Sequence, residues 1–129
     1  MLTFALDSNT ELPPAPPPVI QAAPDPDYKA DAALAAKGAG IFGFNCGICH
    51  GPGAVSGGTA PDLRSSDIVS AADAFHAVVH DGTRVAAGMP GFNDLSESDI
   101  AAIRQYIRSQ AADLRAGKAK PPASVIVAQ

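Results

Sequence analysis

The chain's only cysteines stand in the order Cys46-Gly47-Ile48-Cys49-His50. Two thiols three residues apart on a helical turn can each add to one vinyl group at the edge of a haem, forming thioether links. The histidine directly after the second cysteine is then carried beneath the iron. This C-x-x-C-H arrangement therefore reads as c-type haem attachment, with His50 as an axial ligand. Three other chemistries compete. A redox-active dithiol would need a strand before the motif and a helix opening at it, whereas here the pattern gives a helix before and a Gly-rich loop after. A zinc site could draw on Cys46, Cys49, His76 and His80, but 26 residues separate Cys49 from His76, far from the finger spacing of about 12–15. A disulfide between Cys46 and Cys49 would close a short, strained loop in an exported protein.

A low-spin electron-transfer haem needs a sixth ligand. Apart from Met1 the sole methionine is Met89, in Gly88-Met89-Pro90-Gly91-Phe92, 39 residues beyond His50. The flanking Gly and Pro predict a rigid, non-helical loop in which a thioether can be aimed; on a helix face the same residue would read as a gap-filler of the core. His50/Met89 ligation raises the reduction potential and leaves no open iron site, so the expected chemistry is electron transfer one electron at a time. His76 and His80, four apart, read as solvent-side residues opposite Phe75, Val78 and Val79, with His80 as the fallback sixth ligand. A haem peroxidase or ligand sensor, with Met89 displaced, is the alternative from another class.

The elements that must position these residues are helices. From Asp27 to about Phe44 the chain is Ala-rich and free of Pro, which predicts a first helix. Gly and Pro recur from Cys46 to Asp67, predicting an irregular loop. Ser70 with Asp73 predicts a capped middle helix ending at Gly82, and Ser96 with Asp99 a capped last helix whose stripe is Ile100, Ile103, Ile107 and Leu114. The fold class expected is all-α: three to five short helices around one haem, behind an extended Pro-rich segment.

Composition agrees with a cofactor-filled core. Of 129 residues 26 are Ala, against five Phe, two Tyr and no Trp, so the side chains alone provide little bulk and the chain without haem is expected to be poorly folded. A net charge of −4 disfavours nucleic acid, which needs a positive field. No apolar run approaches the roughly 18 residues of a membrane span, and the first residues lack the basic and long apolar regions of a secretory signal. Seven of the twelve Pro fall between Pro13 and Pro26, predicting a semi-rigid spacer. The expected organisation is 1–12 as the end of a preceding domain, with Leu2 to Leu6 a strand, then 13–27 as linker, 28–117 as the haem domain and 118–129 as a tail. Asp73, Asp94, Glu97 and Asp99 read as capping and solvated charges, and no catalytic residue is expected.

With C-x-x-C-H, the later Gly-Met-Pro and the last helix in hand, residues of about 31–116 resemble class I cytochrome c domains. The resemblance implies that Gly38 and Phe42, eight and four positions before Cys46, pack the first helix on the last, with Tyr106 as the partner aromatic. It also implies that Pro61 offers its carbonyl to the Nδ1 proton of His50, and that Arg64 or Arg84 ties a haem propionate. Phe4-Ala5-Leu6-Asp7, the Pro-rich spacer and the stretch from Phe44 to Arg64 together look like the carboxy-terminal cytochrome domain of quinohaemoprotein (PQQ-dependent) alcohol dehydrogenases. That likeness implies a periplasmic protein whose haem c takes electrons from PQQ in a dehydrogenase domain and passes them to a quinone, cytochrome or azurin-like acceptor. PQQ and calcium would belong to the dehydrogenase domain, not to this chain, and 125–127 could return to it as a strand. A free-standing periplasmic electron carrier, or a cytochrome subunit, is the second reading.

Overall fold

The computed structural model describes residues 19–119. The strand expected at 2–6, the prolines from 13 to 18 and the tail from 120 onward lie outside them. Among the described residues there is no strand, and four α-helices follow one another: α1 Ala32–Asn45, α2 Gly47–His50, α3 Ala72–Val79 and α4 Glu97–Arg115. The all-α expectation holds, with short 3-10 turns at Pro52–Ala54, Leu63–Ser65, Asp67–Ser70 and Val85–Ala87 filling the stretches between.

Helix α1 starts later than its composition suggests. Its N-cap is Asp31, whose carboxylate accepts from the Leu34 backbone N–H at 2.9 Å, while the residues before it are drawn elsewhere, as described below. Helix α4 begins where the sequence says: Asp99 N–H donates to Ser96 Oγ, and the Ser96 hydroxyl donates to Asp99 Oδ2 at 2.7 Å. This cap is worth about 1 kcal/mol. Helix α3 differs from the expectation. Its N-cap is Ala71 without a side-chain bond, and Ser70 instead donates its hydroxyl to the Asp67 carbonyl. The cause lies across the molecule, where Arg104 of α4 takes the Val69 and Ser70 carbonyls through Nε and Nη2 and holds that segment as a 3-10 turn.

The core sits where α1 crosses α4. A Cβ on Gly38 would collide with the Ala102 carbonyl oxygen, so only glycine permits the helices this approach. Beside it Phe42, Ile103 and Ile107 are each 1% exposed, and Phe42 meets Tyr106 with ring centroids 5.2 Å apart and planes tilted by 53°, a favoured aromatic geometry. Val69, Phe75, Val79 and Ile100 extend the same cluster to α3. Each such side chain contributes about 1.5–3 kcal/mol by leaving water.

The second half of the proline-rich stretch lies on the outer face of α4. Asp25 receives both Nε and Nη2 of Arg108 at 2.7 and 2.9 Å, Gln105 donates to the Lys29 carbonyl at 2.8 Å, and Arg115 donates to the Ala23 carbonyl. The Ala23 N–H donates in turn to the Arg64 carbonyl. Residues 23–29 thus form a strap tied to the helical body by polar groups at Ala23, Asp25 and Lys29.

Candidate functional site: a haem-attachment turn

Helix α2 is one turn long because its sequence supplies nothing to extend it. The Cys49 and His50 N–H groups both reach back to the Cys46 carbonyl at 3.2 and 2.9 Å, and Gly51 at φ +75° ends the turn. A side chain at Gly51 would strike the Val55 carbonyl oxygen, so the chain must double back here. Cys46 enters the buried core cluster while Cys49 stays exposed. Burial, with Cys49 adding a smaller effect, pushes the Cys46 thiol up to about 11, so at neutral pH it remains a protonated thiol.

His50 is 7% exposed, and its Nδ1 lies 3.0 Å from the Pro61 carbonyl oxygen. A carbonyl can only accept, so Nδ1 carries the proton and Nε2 carries the lone pair. Among the described residues nothing hydrogen-bonds to Nε2. A donor set of two thiols on one turn and an adjacent imidazole with an oriented Nε2 lone pair fits a haem, and does not fit a zinc site, because His76 and His80 lie with Asp81 in a separate cluster.

Met89 is half-buried and packs against the core cluster that includes Cys46. Its loop is held by Met89 N–H to the Arg84 carbonyl and by Phe92 N–H to the Val79 carbonyl at 2.8 Å. Gly82 and Gly91 pass each other so closely that a Cβ on Gly91 would come within 3.0 Å of the Gly82 backbone.

Arg64 is 5% exposed and gives Nε and Nη2 to the two oxygens of Asp62 at 2.9 and 2.7 Å. Asp62 also caps the following turn by accepting from the Arg64 N–H. Burial pushes the Asp62 carboxyl up, but its bonds to Arg64 outweigh this and hold it below the usual carboxylate range. Sequence reasoning passed over Asp62, although Asp followed two residues later by a donor at a turn is an Asx-turn signal. Arg84 is exposed.

A Cys-x-x-Cys-His turn beside an α1/α4 crossing is the arrangement of a cytochrome c domain, and comparison with known proteins agrees. Residues 33–107 match the family model described as cytochrome C oxidase, cbb3-type, subunit III, and the chain belongs to this cytochrome c family. It is 37% identical over 113 residues to quinohemoprotein alcohol dehydrogenase ADH IIB of Pseudomonas putida, an alignment covering 85% of this chain and 16% of that protein. The solved structure of quinohemoprotein alcohol dehydrogenase ADHIIG from Pseudomonas putida HK5 superposes with a TM-score of 0.66 at 33% identity, over 83% of this chain and 16% of that one. Cytochrome c6 of Microcystis aeruginosa is 37% identical over 76 residues, which is 57% of this chain and 94% of that protein. The chain thus spans about one-sixth of the length of its dehydrogenase relatives and nearly all of the small cytochrome. Membership implies haem c and electron transfer. Among the described residues no helix is long and apolar enough to cross a membrane.

Proposed function

We propose that the chain is the one-electron relay of a periplasmic PQQ-dependent alcohol dehydrogenase, carrying a single haem c joined through Cys46 and Cys49 and ligated by His50 and Met89. The observation that supports it most is the 3.0 Å bond between His50 Nδ1 and the Pro61 carbonyl, which orients the imidazole and makes its other nitrogen a better donor. When bound, the haem would supply a reversible one-electron iron couple, held by His50 and Met89. Met89, on its glycine-braced loop, gives the thioether. Arg64 spends two of its five guanidinium N–H groups on Asp62 through Nε and Nη2, and the remaining ones on Nη1 and Nη2 would be its donors to a propionate. Phe44 and Ile48, each 89% exposed, flank the cysteines and offer an apolar surface to an electron partner, with little steering from a net charge of −4.

Residues 28–117 are the haem domain in this reading, 13–27 the linker and 1–12 the end of the dehydrogenase domain, where PQQ and calcium would be held. Electrons would leave for a quinone, a cytochrome or an azurin-like protein. The near-complete coverage of cytochrome c6 favours a second reading, a free-standing carrier. A reading frame continuous upstream into Trp-rich propeller repeats selects the first, a signal peptide the second.

Mass spectrometry of the chain expressed with a c-type maturation system should find one haem mass added, and a colourless chain of unmodified mass overturns the proposal. Replacing Met89 by Ala should remove the weak near-infrared sulfur-to-iron band of the oxidised protein; persistence of the band excludes Met89. Rapid binding of carbon monoxide by the reduced protein at neutral pH would favour a ligand sensor or peroxidase instead.

A further inference from the structure

Two of the chain's three histidines have no part in the proposed His50/Met89 ligation. His76 and His80 stand one turn apart on the last turns of α3, with rings stacked at 4.6 Å and 25°. Asp81 turns its carboxylate back onto both: Oδ1 lies 2.8 Å from His80 Nδ1 and Oδ2 lies 3.8 Å from His76 Nδ1. One donor atom from each of the three residues falls within 4.8 Å of the others. In a tetrahedral site with metal–nitrogen bonds of about 2.0–2.1 Å, neighbouring donors stand about 3.4 Å apart, a value between the two observed separations.

The far side of His76 carries a second, separate feature. Its Nε2 lies 2.9 Å from Glu97 Oε1 at the start of α4. A carboxylate accepts, so Nε2 holds the proton and the Nδ1 lone pair is turned toward Asp81 and His80. A carboxylate that orients a histidine whose other nitrogen binds metal is the usual outer support of zinc sites. Arg104, which lines the groove beside His76 and Glu97, is turned to the Val69 and Ser70 carbonyls through Nε and Nη2.

The geometry points to a divalent transition-metal site, suited to zinc, in which His76 Nδ1, His80 Nδ1 and the Asp81 carboxylate bind the ion, water completes the shell, and Glu97 positions His76. On binding, His80 changes tautomer: the proton that Nδ1 shares with Asp81 leaves and Nε2 takes one up from solvent, so the imidazole stays neutral with its Nδ1 lone pair on the ion. The site goes beyond the haem reading and does not depend on it. Its place gives it a consequence: Asp81 opens the loop that carries Met89, and the Thr83 N–H already ties that loop to the Ala77 carbonyl at 3.2 Å. An ion held here staples the end of α3 to the root of the Met89 loop.

Calorimetric titration of the haem-loaded chain with zinc chloride should show one ion per chain. His76→Gln and His80→Gln should each abolish the binding, and Glu97→Gln should weaken it by about tenfold or more, all with an unchanged haem absorption spectrum. Should a variant misfold, the wild-type chain gives the same answer by diethyl pyrocarbonate labelling, because zinc should shield His76 and His80 from modification. Absence of zinc uptake, uptake undiminished in the double His76→Gln, His80→Gln variant, or full labelling of both histidines in saturating zinc overturns the site.

Discussion

The two faces of this domain are held by different means. On the outer face of α4 the strap at 23–29 is fastened by groups that come entirely from the chain: the Asp25–Arg108 pair, with side chains 7% and 11% exposed, the Gln105 bond to Lys29 and the Arg108 guanidinium 5.4 Å above the Tyr28 ring. Around α2 and the Met89 loop the chain is shaped by turns and glycines, and the proposed chemistry rests on two thiols, an imidazole and a thioether. One face stores conformational stability and the other presents ligands. Changes on the first should therefore alter unfolding and leave the haem in place, and changes on the second should do the reverse.

The largest expected effect is on the ligand face. The double variant Cys46→Ser, Cys49→Ser should lose the covalent haem completely, seen as an unmodified mass, and with it much of the far-ultraviolet helical signal. A variant that stays fully helical without haem would show that the Ala-rich core suffices by itself. Next comes Arg108→Leu, which leaves the partly buried Asp25 without its partner and should cost about 2 kcal/mol in chemical denaturation, with the haem spectrum intact. Loss of haem from this variant would break the comparison between the faces. Ser96→Ala, which touches neither face, should cost about 1 kcal/mol through loss of the α4 cap and serves as the reference for an ordinary helix defect.

The pH dependence sharpens the same contrast. The hydrogen bonds from Arg108 hold the Asp25 carboxyl below its usual range. Its contribution is complete above the unfolded-chain value of about 3.9 and is lost as the pH falls through the lowered folded-state value. Asp62, lowered by Arg64 against the effect of burial, titrates in the same direction. Asp25→Asn should therefore flatten the acid limb of the stability curve without abolishing it. Equal slopes for the variant and the wild type below that range would show that Asp25 is not an acid-labile tie.

What could be read beforehand follows the range of the interactions involved. The Ser96 cap and the Ile100, Ile103, Ile107 stripe are local patterns, and α4 appears where they place it. The Ser70 cap obeys the same local rule and fails, because Arg104, 34 residues away, takes the Ser70 carbonyl that a helix capped there would use for its first bond. The first helix starts late for a related reason: Asp25 and the Lys29 carbonyl are engaged by α4, and no pattern within residues 23–31 announces that. His76 and His80 show both sides of the matter. Their spacing on one helix was legible, but the convergence of Asp81 and the support from Glu97 were not, since Glu97 reaches His76 only through the packing of α4 on α3.

By itself the sequence pointed to haem c and determined the all-α class, because thiol spacing and helix periodicity act over a few residues, whereas the glycine at the helix crossing came only through the resemblance to cytochrome c domains. Only the tertiary structure decided which face the proline-rich strap covers, which carboxylates pair with which arginines, and where the two spare histidines find a third donor. The ties of the strap to α4 and the support of His76 by Glu97 join groups 21 to 92 residues apart, and their partners are chosen by how the helices cross.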